Sequence, residues 1–203
     1  MTTSALEGAL ALDAAAQDLL FREARTAYAF TDEPVTDEQA RAIYDLVKWA
    51  PTSMNMQPLR IVYVRSPEAR ARLVSHMADG NKGRTASAPL TALLAVDTDF
   101  HEHLPRTFPH FPGAKEVYSE PEGRIAQARF NGALQIGYFI IGVRAAGLAA
   151  GPMTGFDAAG IEADFFPDGR HHALAVVNIG RPGPEAWRAR NPRLETDEVV
   201  TTV

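Results

Sequence analysis

Trp49-Ala50-Pro51-Thr52-Ser53-Met54-Asn55-Met56-Gln57-Pro58 joins a helical pattern to an extended apolar run. The helix stops at Pro51, whose ring and missing N–H cannot continue it. A hydroxyl pair and two amides follow, and Pro58 leads into Leu59 to Val64, which reads as a strand. Side chains that donate and accept are thus held between two rigid points in a loop entering a strand. Such a loop suits a flat heteroaromatic ligand with ring nitrogens and carbonyls. It serves equally as a plain helix-to-strand connection.

Upstream, Thr36-Asp37-Glu38-Gln39 is a capping box, and the helix it opens presents Ala40, Ile43, Tyr44, Leu46 and Val47. Earlier still, Leu10 to Glu23 has helical spacing, with Leu12, Ala16, Leu19 and Leu20 on one side. Downstream, Pro67 opens a helix over Glu68 to Met77, which Gly80-Asn81-Lys82-Gly83 is expected to break. Leu90 to Val96 reads as a buried strand. Asp97 to Glu122, with Pro105, Pro109, Pro112, Gly113 and Pro121, is the one long irregular segment, and its aromatics favour a lid or binding loop over disorder.

Gly123 to Gly147 is the longest helical pattern, apolar on more than one side and therefore central. Gly132, Gly137 and Gly142 would let another helix approach closely, at about 1 kcal/mol each in helix propensity; tight packing on the chain's own sheet is the alternative. Leu148 to Met153 and Ala173 to Ile179 read as strands, with a turn at Thr154-Gly155-Phe156-Asp157 and a short helix to Phe165 between them. The tail from Arg181 has no core face, so Trp187, Leu194, Val199 and Val200 are expected to lie across something else, such as a second subunit. The irregular interspersion favours an α+β sheet with flanking helices, one domain over residues 1–203.

Composition narrows the function classes. The 203 residues carry a net charge of −5 and no cysteine. No basic excess is available for a phosphate backbone, so nucleic acid is not an expected partner. Disulfides, thiolate metal sites and cysteine nucleophiles are excluded. Residues 1–20 lack a basic flank, and the apolar stretch Phe130 to Val143 falls short of the ~20 residues a membrane span requires. A soluble cytoplasmic protein with no membrane partner is expected. No Gly-x-Gly-x-x-Gly turn, Walker-type loop or Gly-x-Ser-x-Gly elbow occurs. His101 and His103 would share a side in an extended segment, with His110 nearby, but the run lacks the helical His-Glu-x-x-His spacing and no metal site is expected. His171 and His172 read as structural.

Two groups remain. Arg188, Arg190 and Arg193 stand in a proline-punctuated tail of an acidic chain, where guanidinium forks suit a phosphate; Arg22 and Arg25 offer a second candidate for the same group. A solvated surface is the other reading. Gly151-Pro152-Met153-Thr154-Gly155-Phe156-Asp157 permits close backbone approach, for a ligand acceptor atom or simply for a tight turn capped by Asp157.

Pro51-Thr52-Ser53-x-Asn55-x-Gln57-Pro58, Gly147-Leu148 and Pro152-Met153-Thr154-Gly155-Phe156-Asp157 together resemble the nitroreductase family of flavin mononucleotide (FMN) enzymes, in order and over nearly the whole chain. Asn178-Ile179-Gly180 and the arginine-rich tail agree. Lys48-Trp49-Ala50-Pro51-Thr52-Ser53, Gly151-Pro152-Met153 and Phe108-Pro109-His110 are most similar to the malonic semialdehyde reductase branch. The resemblance implies a homodimer with a central mixed β-sheet, a long central helix at the dimer interface, an extended C-terminal arm and two flavin sites across the interface. Pro51, Thr52, Ser53, Asn55 and Gln57 would approach the isoalloxazine held by the other subunit. Gly80, Asn81 and Arg84 would reach its pyrimidine edge, with Arg84 near N1 and O2. Pro152, Thr154 and Gly155 would lie near N5 and O4, and Arg190 and Arg193 would hold the phosphate.

The N-terminal phosphate motif departs from the family's Arg-Arg-Ser-x-Arg-x-Phe. Ala24-Arg25-Thr26-Ala27-Tyr28-Ala29-Phe30 has alanine and tyrosine at two basic positions, leaving Arg25 with Thr26. Thr154 stands where relatives often carry glutamate. The implied reaction is ping-pong hydride transfer from NADH or NADPH through flavin N5 to a small molecule, with no side chain as catalyst. Malonic semialdehyde is the implied substrate, with Arg106, Lys115 or Arg124 meeting its carboxylate. A broad nitro or quinone reductase is the alternative, and a flavin store or sensor without turnover is the alternative of another class.

Overall fold

A computed structural model describes residues 10–203. The reading of residues 1–20 therefore lies partly outside the described residues. Helix α1 (Ala14–Gln17) is capped by the Asp13 carboxylate, which accepts the Ala16 N–H at 2.8 Å, and runs into a wide π turn over Asp18–Arg22. This differs from one continuous helix from Leu10. Leu12 lies before the helix begins, the wide turn shifts the 3.6-residue repeat at Leu19, and both stay exposed instead of facing inward.

The capping box forms as the sequence predicts. Thr36 Oγ1 accepts the Gln39 N–H at 3.2 Å, and Gln39 Oε1 accepts the Thr36 N–H at 2.9 Å. Helix α2 (Asp37–Val47) buries Ala40, Ile43 and Val47 and leaves Tyr44 and Leu46 exposed. Strand β1 (Leu59–Val64) follows, then α3 (Pro67–His76), with Ser66 as cap. The expected break at Gly80–Gly83 is corrected. Helix α4 (Asp79–Ser87) runs through those residues, because Asn81 and Thr85 are buried along it. The chain turns earlier, at Met77 and Ala78, which are extended and bridge Gly155 and Phe156; the Ala78 N–H donates to the Gly155 carbonyl at 3.0 Å.

Strand β2 (Leu90–Asp97) is buried along its whole length. Leu90, Ala92 and Leu94 pack with Ile43, Val47, Phe139 and Val143 on one face; Leu93 and Ala95 pack with Leu73, Met77 and Ile161 on the other. A strand covered on both faces is mainly apolar, and its two polar residues are paired: Thr91 donates to Asn178 at 3.0 Å, and Asp97 at the strand's end meets Arg60 and Arg170. The segment after it is not a loose lid. It winds through short helical turns at Phe100–His103, Leu104–Thr107, Pro112–Ala114 and Glu116–Tyr118. Phe100 and Tyr118 meet edge to face at 5.0 Å and form a third core with Met56, Val96 and Leu104.

Helix α5 (Pro121–Ala145) ends at Gly147, whose φ of +71° makes the expected left-handed cap. Its glycines divide. A Cβ on Gly142 would stand 2.2 Å from Val47 on α2, and one on Gly132 would stand 2.1 Å from Val96 on β2. A Cβ on Gly137 would meet nothing within 4 Å among the described residues. Strand β3 (Ala149–Met153), helix α6 (Ala158–Phe165) and strand β4 (His171–Gly180) complete the core. The strand order is β1-β2-β4-β3, and every pairing among the described residues is antiparallel. The expected mixed sheet is thereby corrected. The chain returns at the same end of the sheet from β1 to β2 and from β3 to β4, which makes each of those pairs antiparallel, and the one crossover, through α5, joins β2 to β3 on either side of β4.

Candidate functional site

The Pro51 loop is held in a strained form. Met54, Asn55 and Gln57 have φ of 48°, 49° and 44°, left-handed values that cost non-glycine residues about 1–2 kcal/mol each. The surroundings fix them. Asn131 on α5 accepts the Ser53 N–H at 2.8 Å, Asn55 Nδ2 donates to the Thr107 carbonyl at 2.8 Å, and Gln57 Nε2 donates to Asn55 Oδ1 at 2.8 Å. Thr52 Oγ1 accepts the Gln57 N–H at 3.3 Å. The loop is a preset polar edge, and Pro51, Thr52, Asn55 and Gln57 line a cavity of about 410 Å³ with Trp49.

A second polar group forms around α4 and the turn after β3. The buried Asn81 donates from Nδ2 to the Gly155 carbonyl at 2.8 Å and accepts from the Arg84 guanidinium. Its own carbonyl accepts the Thr85 hydroxyl at 2.9 Å. Asn178 on β4 donates to the Arg84 carbonyl at 3.0 Å and is itself fixed by Thr91. Arg84 Nε is buried with no partner, and the Gly155 N–H has no acceptor among the described residues. The buried Arg84 Nε is costly to leave unmet in a folded chain, and the Gly155 N–H, on a half-buried residue, is open to a ligand. Pro152 sits within β3, paired opposite Val177, and Thr154 is exposed beyond its end.

Arg84 lies over the Tyr28 ring, Cζ to centroid 5.1 Å, and Arg188 lies over the same ring at 4.0 Å. Tyr28 thus connects the α4 group to a cavity of about 300 Å³ lined by Arg25, Thr26, Arg188, Arg190 and Arg193 with no carboxylate in its wall. Arg190 donates to the carbonyls of Arg22 and Ala24, and its charge, after burial, helps lower the pKa of Arg144. Arg193 donates to its own neighbours' carbonyls at Asn191 and Pro192.

The structure therefore brings together Arg25, Thr26, Asn81, Arg84, Gly155, Arg190 and Arg193 through Tyr28. It does not bring Pro51, Thr52, Ser53, Asn55 and Gln57 to them: no hydrogen bond or cavity wall among the described residues joins the two groups. Sequence reasoning passed over Asn131, whose amide serves a backbone group distant in sequence and carries no local motif, and it noted Asn178 only as part of the resemblance, without its bond to the Arg84 carbonyl.

A third cavity, of about 300 Å³, adjoins the loop at Gln57 and is lined by Lys48, Arg60, His103, Arg106 and Gln135. Arg60 is held by Asp97 at 2.7 Å, as is Arg170, and His103 stands 3.7 Å from the same carboxylate. Burial pushes the Asp97 carboxyl up, but Arg170, the Asp99 N–H and Arg60 outweigh it and hold its pKa below the usual range. Arg106 has no partner among the described residues. Lys115 instead pairs with Glu102 at 2.8 Å, and Arg124 is tied to Asp99 and to the carbonyls of Thr98, Tyr118 and Ser119. His101 and His103 sit on a tight helical turn rather than an extended segment, and no cluster of metal-ligating side chains occurs among the described residues. No described helix is long and apolar enough to cross a membrane.

A sequence model described as the Nitroreductase family matches residues 21–181. A Streptomyces coelicolor protein with the provisional name NADH dehydrogenase/NAD(P)H nitroreductase is 65% identical over 195 residues, 96% of this chain and 99% of that protein. The fold is similar to that of a Bacillus subtilis protein provisionally termed a nitroreductase, with TM-score 0.82 and 22% identity over 91% of this chain and 97% of that one. It is also similar to an Exiguobacterium sibiricum protein, likewise provisionally termed a nitroreductase and solved in complex with FMN. There the TM-score is 0.79 at 16% identity, over 92% of this chain and 96% of that one.

Proposed function

This chain belongs to the nitroreductase family, and on that premise we propose that it is an FMN-dependent NAD(P)H oxidoreductase whose flavin sites are completed by two copies of one single-domain chain. The observation that carries the reading is the division of the polar machinery into two preset halves that one chain does not join. The residues present fit FMN. Arg84 Nε and the Gly155 N–H are donors without acceptors, and the cavity at Thr26 is walled by guanidiniums. When bound, FMN supplies hydride relay between NAD(P)H and a second substrate. Arg84 would set a positive charge beside the ring, Gly155 would offer its N–H, and Arg25, Thr26, Arg190 and Arg193 would hold the phosphate. Pro51, Thr52, Ser53, Asn55 and Gln57 of the other copy would close the ring's remaining side, beside Pro152 and Thr154.

Support for a homodimer is the set of exposed large apolar side chains on α2, just past its end and on α5. Trp49 is 78% exposed and Phe130 65%, with Leu46, Leu134 and Tyr138 beside them. Trp187 and Leu194 of the tail are exposed as well, as a crossing arm requires. A cytoplasmic location belongs to the same proposal.

The substrate we infer is malonic semialdehyde, reduced to 3-hydroxypropionate. The resemblance suggests it, and the cavity beside Gln57 supports it: of the three cations the sequence offered, only Arg106 keeps its guanidinium free. Nitro and quinone reduction is the second reading, favoured by the relative's name. The test is an absorbance spectrum of the purified protein, then anaerobic titration with NADH and NADPH. A bound flavin bleached by either supports the oxidoreductase. Colourless protein that stays colourless after FMN is added would remove it.

A further inference from the structure

Two arginines of the tail, Arg190 and Arg193, spend donors on backbone carbonyls, and Arg25 spends them on the Arg188 carbonyl at 3.3 Å and on Glu23 at 3.7 Å. Arg188 differs. Its guanidinium has no hydrogen bond or carboxylate partner among the described residues, and its one recorded contact is the face of Tyr28 at 4.0 Å. The whole guanidinium fork is therefore available at the wall of the Thr26 cavity.

That placement follows from the backbone. The Tyr28 N–H donates to the Ala186 carbonyl at 2.9 Å, the Thr31 N–H to the Arg181 carbonyl at 3.0 Å, and the Gly183 N–H to the Ala29 carbonyl at 3.2 Å. Residues 28–31 and 181–186 are thus held side by side, and the Arg25 bond to the Arg188 carbonyl extends the contact past them. Arg188 is brought over Tyr28 by this register. The aromatic face holds the guanidinium by its negative quadrupole without occupying a single N–H. An arginine held by a carboxylate would arrive neutralised; one held by a ring arrives with its charge and donors intact.

We propose that Arg188 is a phosphate-binding residue of this chain and that Tyr28 is its positioning residue. The ligand class is a phosphate monoester, and resting on the flavin reading above, it is the phosphate of FMN. The ring carries Arg188 to the cavity wall, with Arg84 on the same ring linking the phosphate end to the Asn81 and Gly155 group.

The experiment titrates FMN and riboflavin into flavin-stripped full-length protein, followed by fluorescence, for wild type, Arg188→Ala, Tyr28→Leu and Tyr28→Phe. A lost charge-assisted contact of this kind should weaken FMN by about 10- to 100-fold in Arg188→Ala and leave riboflavin within about threefold of wild type. Tyr28→Leu should behave like Arg188→Ala, and Tyr28→Phe should bind FMN as wild type does. Unchanged FMN affinity in Arg188→Ala, or equal weakening of FMN and riboflavin, would overturn the proposal. So would a raised KM for NADPH but not NADH with FMN binding intact, since the phosphate would then belong to the reductant. Wild-type protein that binds neither flavin would instead overturn the flavin reading on which the proposal rests.

Discussion

The Asn81 amide nitrogen lies 2.8 Å from the Gly155 carbonyl oxygen, and a Cβ on Gly155 would stand 2.8 Å from that same nitrogen. One contact therefore fixes both the turn after β3 and the side chain to which Arg84 is bonded. Gly155→Ala should push the Asn81 amide away and with it the Arg84 guanidinium. FMN affinity is expected to fall about tenfold, while the fold loses no more than the 0.5–1.5 kcal/mol of one hydrogen bond, roughly. Flavin fluorescence titration beside a thermal melt separates the two effects. A stability loss without an affinity loss would show that the contact serves the fold alone.

Arg106, beside Gln57, has no hydrogen-bond or carboxylate partner among the described residues. Arg106→Ala should raise KM for malonic semialdehyde about tenfold or more with kcat little changed, because a charge-assisted hydrogen bond contributes about 1.5–3 kcal/mol. Lys115→Ala, which breaks only the exposed pair with Glu102, should change KM little. Steady-state rates with the semialdehyde and with a nitroarene check this. Equal losses on both substrates would argue against carboxylate recognition.

Asp97 gathers Arg60 and Arg170 at 2.7 Å each, and its side chain is 2% exposed. Asp97→Asn leaves those guanidiniums without their counter-charge and, because both are partly solvated, should cost about 1.5–3 kcal/mol at pH 7. The folded-state pKa lies below the ordinary value, so this carboxylate stabilises the fold above the unfolded pKa of about 3.9 and ceases to as pH falls through the folded value. The gap between wild type and Asp97→Asn should therefore narrow below about pH 4. Urea denaturation across pH 3 to 7 measures it; a gap independent of pH would deny Asp97 its ionised role.

Gly142 faces Val47, with a Cβ site 2.2 Å from its methyl. Gly142→Ala should destabilise through overpacking by about 1–3 kcal/mol, outweighing the gain of roughly 1 kcal/mol in helix propensity. Denaturant unfolding decides the sign. A stabilised variant would show that α2 and α5 can separate at no cost.

Local signals were legible in the sequence. The Thr36 box, the helix opened by Pro67, the Asp157 cap, the Gly147 terminus and the strand runs each depend on residues within a few positions, and all appear where expected. Helix α4 was hidden because Gly80 and Gly83 weaken local propensity, while the burial of Asn81 and Thr85 that offsets it is a tertiary fact. The π turn after α1 leaves no mark in apolar spacing. At the site, the loop at residues 51–57 and the turn at 152–155 were readable as motifs. Arg188 over Tyr28 was not, because backbone bonds between segments some 150 residues apart create it.

Subunit complementation tests the two-half site most directly. Asn55→Asp damages the loop half and Arg84→Ala the half at α4, and each homodimer should bind FMN weakly. Co-expressed with different tags and purified as the mixed dimer, the two variants should form one intact site from undamaged halves. One FMN per two chains at wild-type affinity is the expected result. A mixed dimer that binds FMN no better than either variant alone would contradict a site built from two chains.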